Sequence, residues 1–170
     1  MTDWTHSPAT VWRVIDVSNK CKAEAEQCAE HGLYRAACVL AGAALEGAFL
    51  STVMVSERKL KGEDLWPSTS KDVLDWSLAE LREVAFRAGW IKAEFRGQRP
   101  PLDEGDLGNA IDWLKWLRSL QHPGAFVREL DEGMELGEAA WSNAYGVLDQ
   151  AYDAPSVVLD GLVADYEGQT

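Results

Sequence analysis

Twenty residues, Ala36 to Val55, carry one charge, Glu46, and constrain the fold more than any other stretch of the chain. A continuous helix is expected around them, from Leu33 to about Leu60, roughly 42 Å long at 1.5 Å rise per residue. Its middle is built of small residues, Ala41, Gly42, Ala43, Ala44, Gly47 and Ala48. A glycine inside a helix costs up to about 1 kcal/mol, so Gly42 and Gly47 imply neighbouring helices that approach closely. The run is long enough to cross a bilayer. An acid at the bilayer centre costs roughly 2.5 to 3.5 kcal/mol, however, and alanine and glycine transfer weakly into lipid. The expectation is therefore a buried central helix in a soluble protein, with no membrane partner. A carboxylate inside such a helix requires a counter-charge, because an isolated buried charge is expensive.

A second segment has the same character. From Leu107 to Gly124, helical spacing places Leu107, Ile111, Leu114 and then Arg118 on one stripe, while Trp113, Trp116, Leu117 and Leu120 fill most of the other faces. A helix apolar nearly all round is a buried helix. Arg118 thus occupies a position where the stripe calls for another leucine, and His122 follows one turn later on the same side. Pro123 disfavours helical torsions at the residue before it, so His122 should mark the helix end, where a cation is favoured. A fixed cation and a titratable ring at one helix terminus form a candidate anion site. Arg118 is also the natural partner for Glu46. Such a pair either fixes the register of two helices or positions the guanidinium for a ligand, and the residues alone leave both readings open.

The run Arg118-Ser119-Leu120-Gln121-His122-Pro123-Gly124 resembles the signature of the HEPN superfamily, in its Arg-Asn-x-x-His-Pro-Gly form. The stretch Tyr34 to Glu46, alanine-rich with an embedded glutamate, is similar to a long helix of the same group, and the likeness spans about residues 33–151. The resemblance implies a helical bundle, often a homodimer, in which many members are metal-independent ribonucleases. Others are RNA-binding or toxin- and defence-associated modules without turnover. Carried over residue by residue, Arg118 would bind the scissile phosphate and His122 would move the proton, with Ser119 and Glu46 in support. Ser119 stands where asparagine is usual, and the arginine-to-histidine spacing is shorter than in the nuclease form. Both departures favour the alternative, a non-catalytic interaction or scaffold module in which Arg118 and His122 are structural.

The rest of the chain fits one domain of four to five main helices in up-down order plus a short C-terminal helix. At 170 residues it can bury a core without metal or disulfide support. Hairpin signals are few, so the class is all-α. Ser7-Pro8 is a helix start, and Val11, Val14, Ser18, Cys21, Ala25 and Cys28 keep the alternating spacing of a bundle seam. His31-Gly32 closes that helix, with His31 read as a turn residue rather than a proton carrier. Gly62 to Ser70 is expected as a loop. A third helix carries Leu74, Leu78, Leu81, Ala85 and Ala88 on one stripe, closed by Gly89. A later helix bears Leu136, Ala140, Ala144, Val147, Leu148 and Ala151, and Pro155 opens the terminal one.

Three cysteines without a Cys-x-x-Cys pair or a histidine at ligand spacing support neither a disulfide framework nor a zinc site, and no cofactor motif is present. The start Met1-Thr2-Asp3-Trp4 lacks the pattern of a signal peptide, which points to the cytoplasm. The net charge of −12 opposes tight non-specific nucleic-acid binding. Most of that acidity belongs to residues 128–170, with one basic and ten acidic side chains. Residues 81–100 run the other way, at net +3, and Arg96 and Arg99 in their proline-bearing loop could meet a phosphate chain or serve only as part of a connector. Of eight tryptophans, Trp113 and Trp116 cannot both face the Arg118 stripe. Two homes are equally open to them, a two-fold subunit interface or packing against another helix. RNA, a second copy of the chain, and an antitoxin or other protein are the expected partners.

Overall fold

Ser7 sets the first helix. Its hydroxyl accepts the backbone N–H of Thr10 at 3.2 Å, and Pro8 opens α1, Pro8–Glu30, in the position where its missing N–H removes nothing. The computed structural model describes residues 5–68, 71–90, 137–142, 144–146 and 148–149. Helix α1 ends in a Schellman cap, with Leu33 N–H on the Cys28 carbonyl at 2.8 Å and Gly32 N–H on that of Ala29 at 2.9 Å. Gly32 takes φ +72°, which a side chain would resist. The tight turn sends α2, Tyr34–Gly62, back along α1.

Two side-chain contacts fix the antiparallel register. Ser18 Oγ donates to the Ala44 carbonyl at 2.6 Å in the middle of the pair, and Thr5 Oγ1 donates to Glu57 Oε1 at 2.6 Å at its far end. The expected bundle seam is real: Val11, Ser18 and Ala25 are buried, with Val14, Cys21 and Cys28 half-buried beside them. Gly47 explains the small-residue middle of α2. A β-carbon there would lie 2.7 Å from Ser18 Cβ, so the two backbones can approach only because that carbon is absent.

The end of α2 differs from the expectation. Gly62 is the last helical residue rather than the start of a loop, and the left-handed position after the helix is taken by Asp64 at φ 57°. Leu65 N–H reaches the Leu60 carbonyl at 2.8 Å and Asp64 N–H that of Lys61 at 3.3 Å, the same capping pattern with aspartate in place of glycine. Aspartate is among the few residues that tolerate this region. Arg87 Nη2 then donates to the Asp64 carbonyl at 2.7 Å and ties the turn to the third helix.

The third helix is shorter than its stripe suggests. Leu74 belongs to a separate 3-10 turn, Val73–Asp75, and is 45% exposed. Asp72 caps that turn through Leu74 N–H at 2.9 Å, Trp76 is extended, and α3 begins afresh at Leu78 and runs to Arg87. The restart is local chemistry. Ser77 accepts Glu80 N–H while the Glu80 carboxylate accepts Ser77 N–H at 2.7 Å, a reciprocal capping box that outweighs continuity of the apolar stripe. Gly89 at φ +72° closes α3 as expected, and Trp90 N–H folds back on the Ala85 carbonyl at 2.9 Å.

The core sits between α2, α1 and α3, around Leu45, Phe49, Val53, Leu60, Leu81 and Val84. Residues 138–142, 144–146 and 148–149 are helical and close it with Ala144 and Leu148, both fully buried. Among the described residues every regular element is helical, and the fold class is all-α. By length and composition α2 could cross a membrane; 61% of its most apolar window is buried inside the protein. The motif helix expected over 107–122 and the terminal helix after Pro155 lie outside the described residues.

Candidate functional site

Of the residues singled out from sequence, Arg118, Ser119, His122, Arg96 and Arg99 lie outside the described residues, and so does the meeting of Arg118 with Glu46. Glu46 is described. It is half-buried on α2, with Oε2 shielded from solvent, one residue from Leu45 in the core and one from Gly47 at the crossing with α1. This carboxylate thus stands next to the close approach of the two backbones.

A second acid, this one buried, lies on the same side of α2. Glu57 is eleven residues beyond Glu46, three helical turns or about 16 Å along the axis. It is only 7% exposed, and its Oε1 receives Thr5 Oγ1 and the Lys61 ammonium at 2.5 Å. Sequence reading missed it because Ser56-Glu57-Arg58-Lys59 looks like the solvated end of a helix. The signal that could have found it is the spacing, eleven residues from Glu46 and four from Lys61.

Around Glu57 the chain gathers several polar and aromatic groups. Lys61 Nζ stands 4.9 Å from the ring centre of Trp66, and Trp66 meets Trp76 at 4.8 Å with planes tilted by 49°. Next to Thr5 in the chain, the nearly buried ring of His6 places Nε2 3.8 Å from Asp72 Oδ1. Three consecutive residues therefore attach to three elements: Thr5 to α2, His6 to the 3-10 turn and Ser7 to α1.

Elsewhere the ionisable groups have structural work. His31 Nδ1 donates to the Gln27 carbonyl at 2.8 Å, which fits its expected place at a helix end. Lys22 bridges α1 to the helical residues near 145, with Asp149 Oδ1 at 3.5 Å and the Tyr145 ring centre at 5.8 Å. The Tyr145 hydroxyl donates to Glu26, and that bond, with the charge of Glu26, raises the tyrosine's pKa. Burial pushes the Cys38 thiol up to about 12, and burial with the nearby Glu24 also raises Cys21. A thiol held protonated is a poor nucleophile and a poor metal ligand, so these two cysteines are packing residues. Among the described residues no group of three or more His, Cys, Asp or Glu side chains is placed to hold a metal ion.

Comparison with models of known protein families, with curated proteins and with solved structures gives no match. The functional reading therefore rests on the chain's own residues.

Proposed function

We propose that the chain is a HEPN-like domain that cleaves RNA without a metal ion, as a cytoplasmic homodimer of the toxin- or defence-associated kind. The observation that carries this reading is the sequence Arg118-Ser119-Leu120-Gln121-His122-Pro123-Gly124 at the end of an apolar stretch whose residues keep helical spacing. Its support from the structure is general: an all-α core, and a central helix that holds the half-buried Glu46 beside its close crossing with α1. In this reading Arg118 stabilises charge on the phosphorus centre. His122 takes the proton from a 2′-hydroxyl, whose oxygen then attacks the adjacent phosphate and expels the 5′-oxygen of the next nucleotide. The leaving oxygen needs a proton as well. His122 of a second copy supplies it, which is why the active species is a dimer. Arg96 and Arg99 hold the phosphate chain on either side, and Glu46 orients Arg118.

Incubation with bulk RNA in excess chelator, wild type beside His122→Ala, tests the reading. Cleavage by the wild type and none by the variant supports it. Equal degradation by both proteins, or none by either, removes the proposed base. A second reading is favoured by Ser119 in the usual asparagine position and by the net charge of −12, which opposes phosphate chains. It is a scaffold of the same shape that binds a protein partner, an antitoxin among the candidates, with Arg118 and His122 as structural groups.

A further inference from the structure

We infer that residues 5–7 form a releasable strap that locks the connection between α2 and α3 against the end of the helix pair. Two opposed contributions meet at this place. The closed arrangement is held by Thr5 Oγ1 on Glu57 at 2.6 Å and by His6 Nε2 facing Asp72 Oδ1 at 3.8 Å, while Ser7 fixes the strap's far end as the cap of α1. Asp72 is itself the cap of the 3-10 turn, so the His6 contact reaches the backbone of the connection through one side chain. Against these stands Trp76. It is 3% exposed, and its indole Nε1–H is buried with no hydrogen-bond acceptor among the described residues. A buried donor without an acceptor favours any arrangement in which water reaches it. Opening of the connection relieves that penalty, and the strap opposes the opening.

Among the described residues, the groups around the strap come from α2, the connection and the 3-10 turn. Glu57 and Lys61 lie on α2, Trp66 follows it, and Asp72 and Trp76 flank the 3-10 turn. Release of Thr5 leaves Glu57 with Lys61 as its partner, so the acid does not become an isolated charge when the strap lifts. What the open form presents is the Glu57 carboxylate and the Trp76 ring, which the closed form buries. The two states differ in a few contacts only, which is the condition for a local opening distinct from global unfolding.

Hydrogen exchange followed by mass spectrometry on the full chain tests this, with Thr5→Val, Thr5→Ser and His6→Ala beside the wild type. The amides of Leu74, Asp75 and Trp76, bonded within the connection at 2.9 to 3.1 Å, are the reporters. Thr5→Val removes a hydrogen bond to a charged group and is expected to speed their exchange about ten- to a hundredfold. Residues 41–53 of α2 should exchange at the wild-type rate, Thr5→Ser should behave as wild type, and His6→Ala should give a smaller acceleration at the same amides. Unchanged exchange at residues 74–76 in Thr5→Val overturns the strap. So does equal acceleration at residues 41–53, or failure of Thr5→Ser to restore protection.

Discussion

Ser18 and Gly47 lie in direct opposition where α1 crosses α2. A β-carbon on Gly47 would meet Ser18 Cβ at 2.7 Å, and the Ser18 hydroxyl donates to the Ala44 carbonyl at 2.6 Å. One missing carbon and one hydrogen bond thus set the spacing of α1 and α2 at this crossing, next to Glu46.

Gly47→Ala should therefore destabilise the protein by about 1–3 kcal/mol, the usual penalty of overpacking, despite alanine's better helix propensity. Urea unfolding of Gly47→Ala, Ser18→Gly and the double variant checks it. Because the clash is with the β-carbon of Ser18, the double variant should lose less than the sum of the singles, and strict additivity would show that the two positions do not press on each other.

Asp64 bears the left-handed turn after α2 at φ 57°. Asp64→Gly should raise stability by roughly 0.5–1 kcal/mol, and Asp64→Val should lower it by about 1–2 kcal/mol, because only the first relieves the strain. Thermal melting of the two variants separates these signs.

The start of α3 predicts a dependence on pH. Lys71 first, then the N–H and hydroxyl of Ser77, hold the Glu80 carboxyl down at about 2 against an ordinary 4.5. A depressed folded pKa contributes stability that is present above about 4.5 and is lost as pH falls towards about 2. A carboxyl titration by NMR should place the Glu80 midpoint near 2 in the wild type and closer to 4.5 in Lys71→Ala. Ser77→Ala should remove about 0.5–2 kcal/mol of capping at neutral pH.

Cys38 is fully buried with its thiol raised to about 12. A thiol reagent at pH 8 should modify it only at the rate of unfolding, and denaturant should expose it in proportion to the unfolded fraction. Rapid modification of Cys38 in the native protein would contradict its placement in the core.

The proposed pairing of Glu46 with Arg118 is measurable without a substrate. Glu46→Gln and Arg118→Lys in a double-mutant cycle should show a coupling of about 0.5–3 kcal/mol. Strict additivity would remove the pairing and leave Arg118 to be held by other groups.

The helical class, both glycine caps, the seam of α1 and the close approach at Gly47 were legible in the sequence, because each follows from spacing or from one residue's backbone freedom. The end of α2 was not. Gly62 was expected to open a loop, yet it ends the helix, Asp64 takes the strained torsion and Arg87, distant in sequence, secures its carbonyl. Leu74 kept the apolar period of α3, but side-chain capping by Asp72 and Ser77 cut the stripe in two. Glu57 was hidden because one of its hydrogen-bond donors is Thr5, 52 residues away. A contact of that range leaves no local periodic trace.

The most direct test of the account is the chemistry of the cut ends. With RNA in excess chelator, the wild type should leave 2′,3′-cyclic phosphate and 5′-hydroxyl ends, and Arg118→Ala and His122→Ala should each abolish them while keeping the helical circular dichroism of the wild type. Cyclic-phosphate ends produced equally by all three proteins, or intact RNA with the well-folded wild type, would contradict it.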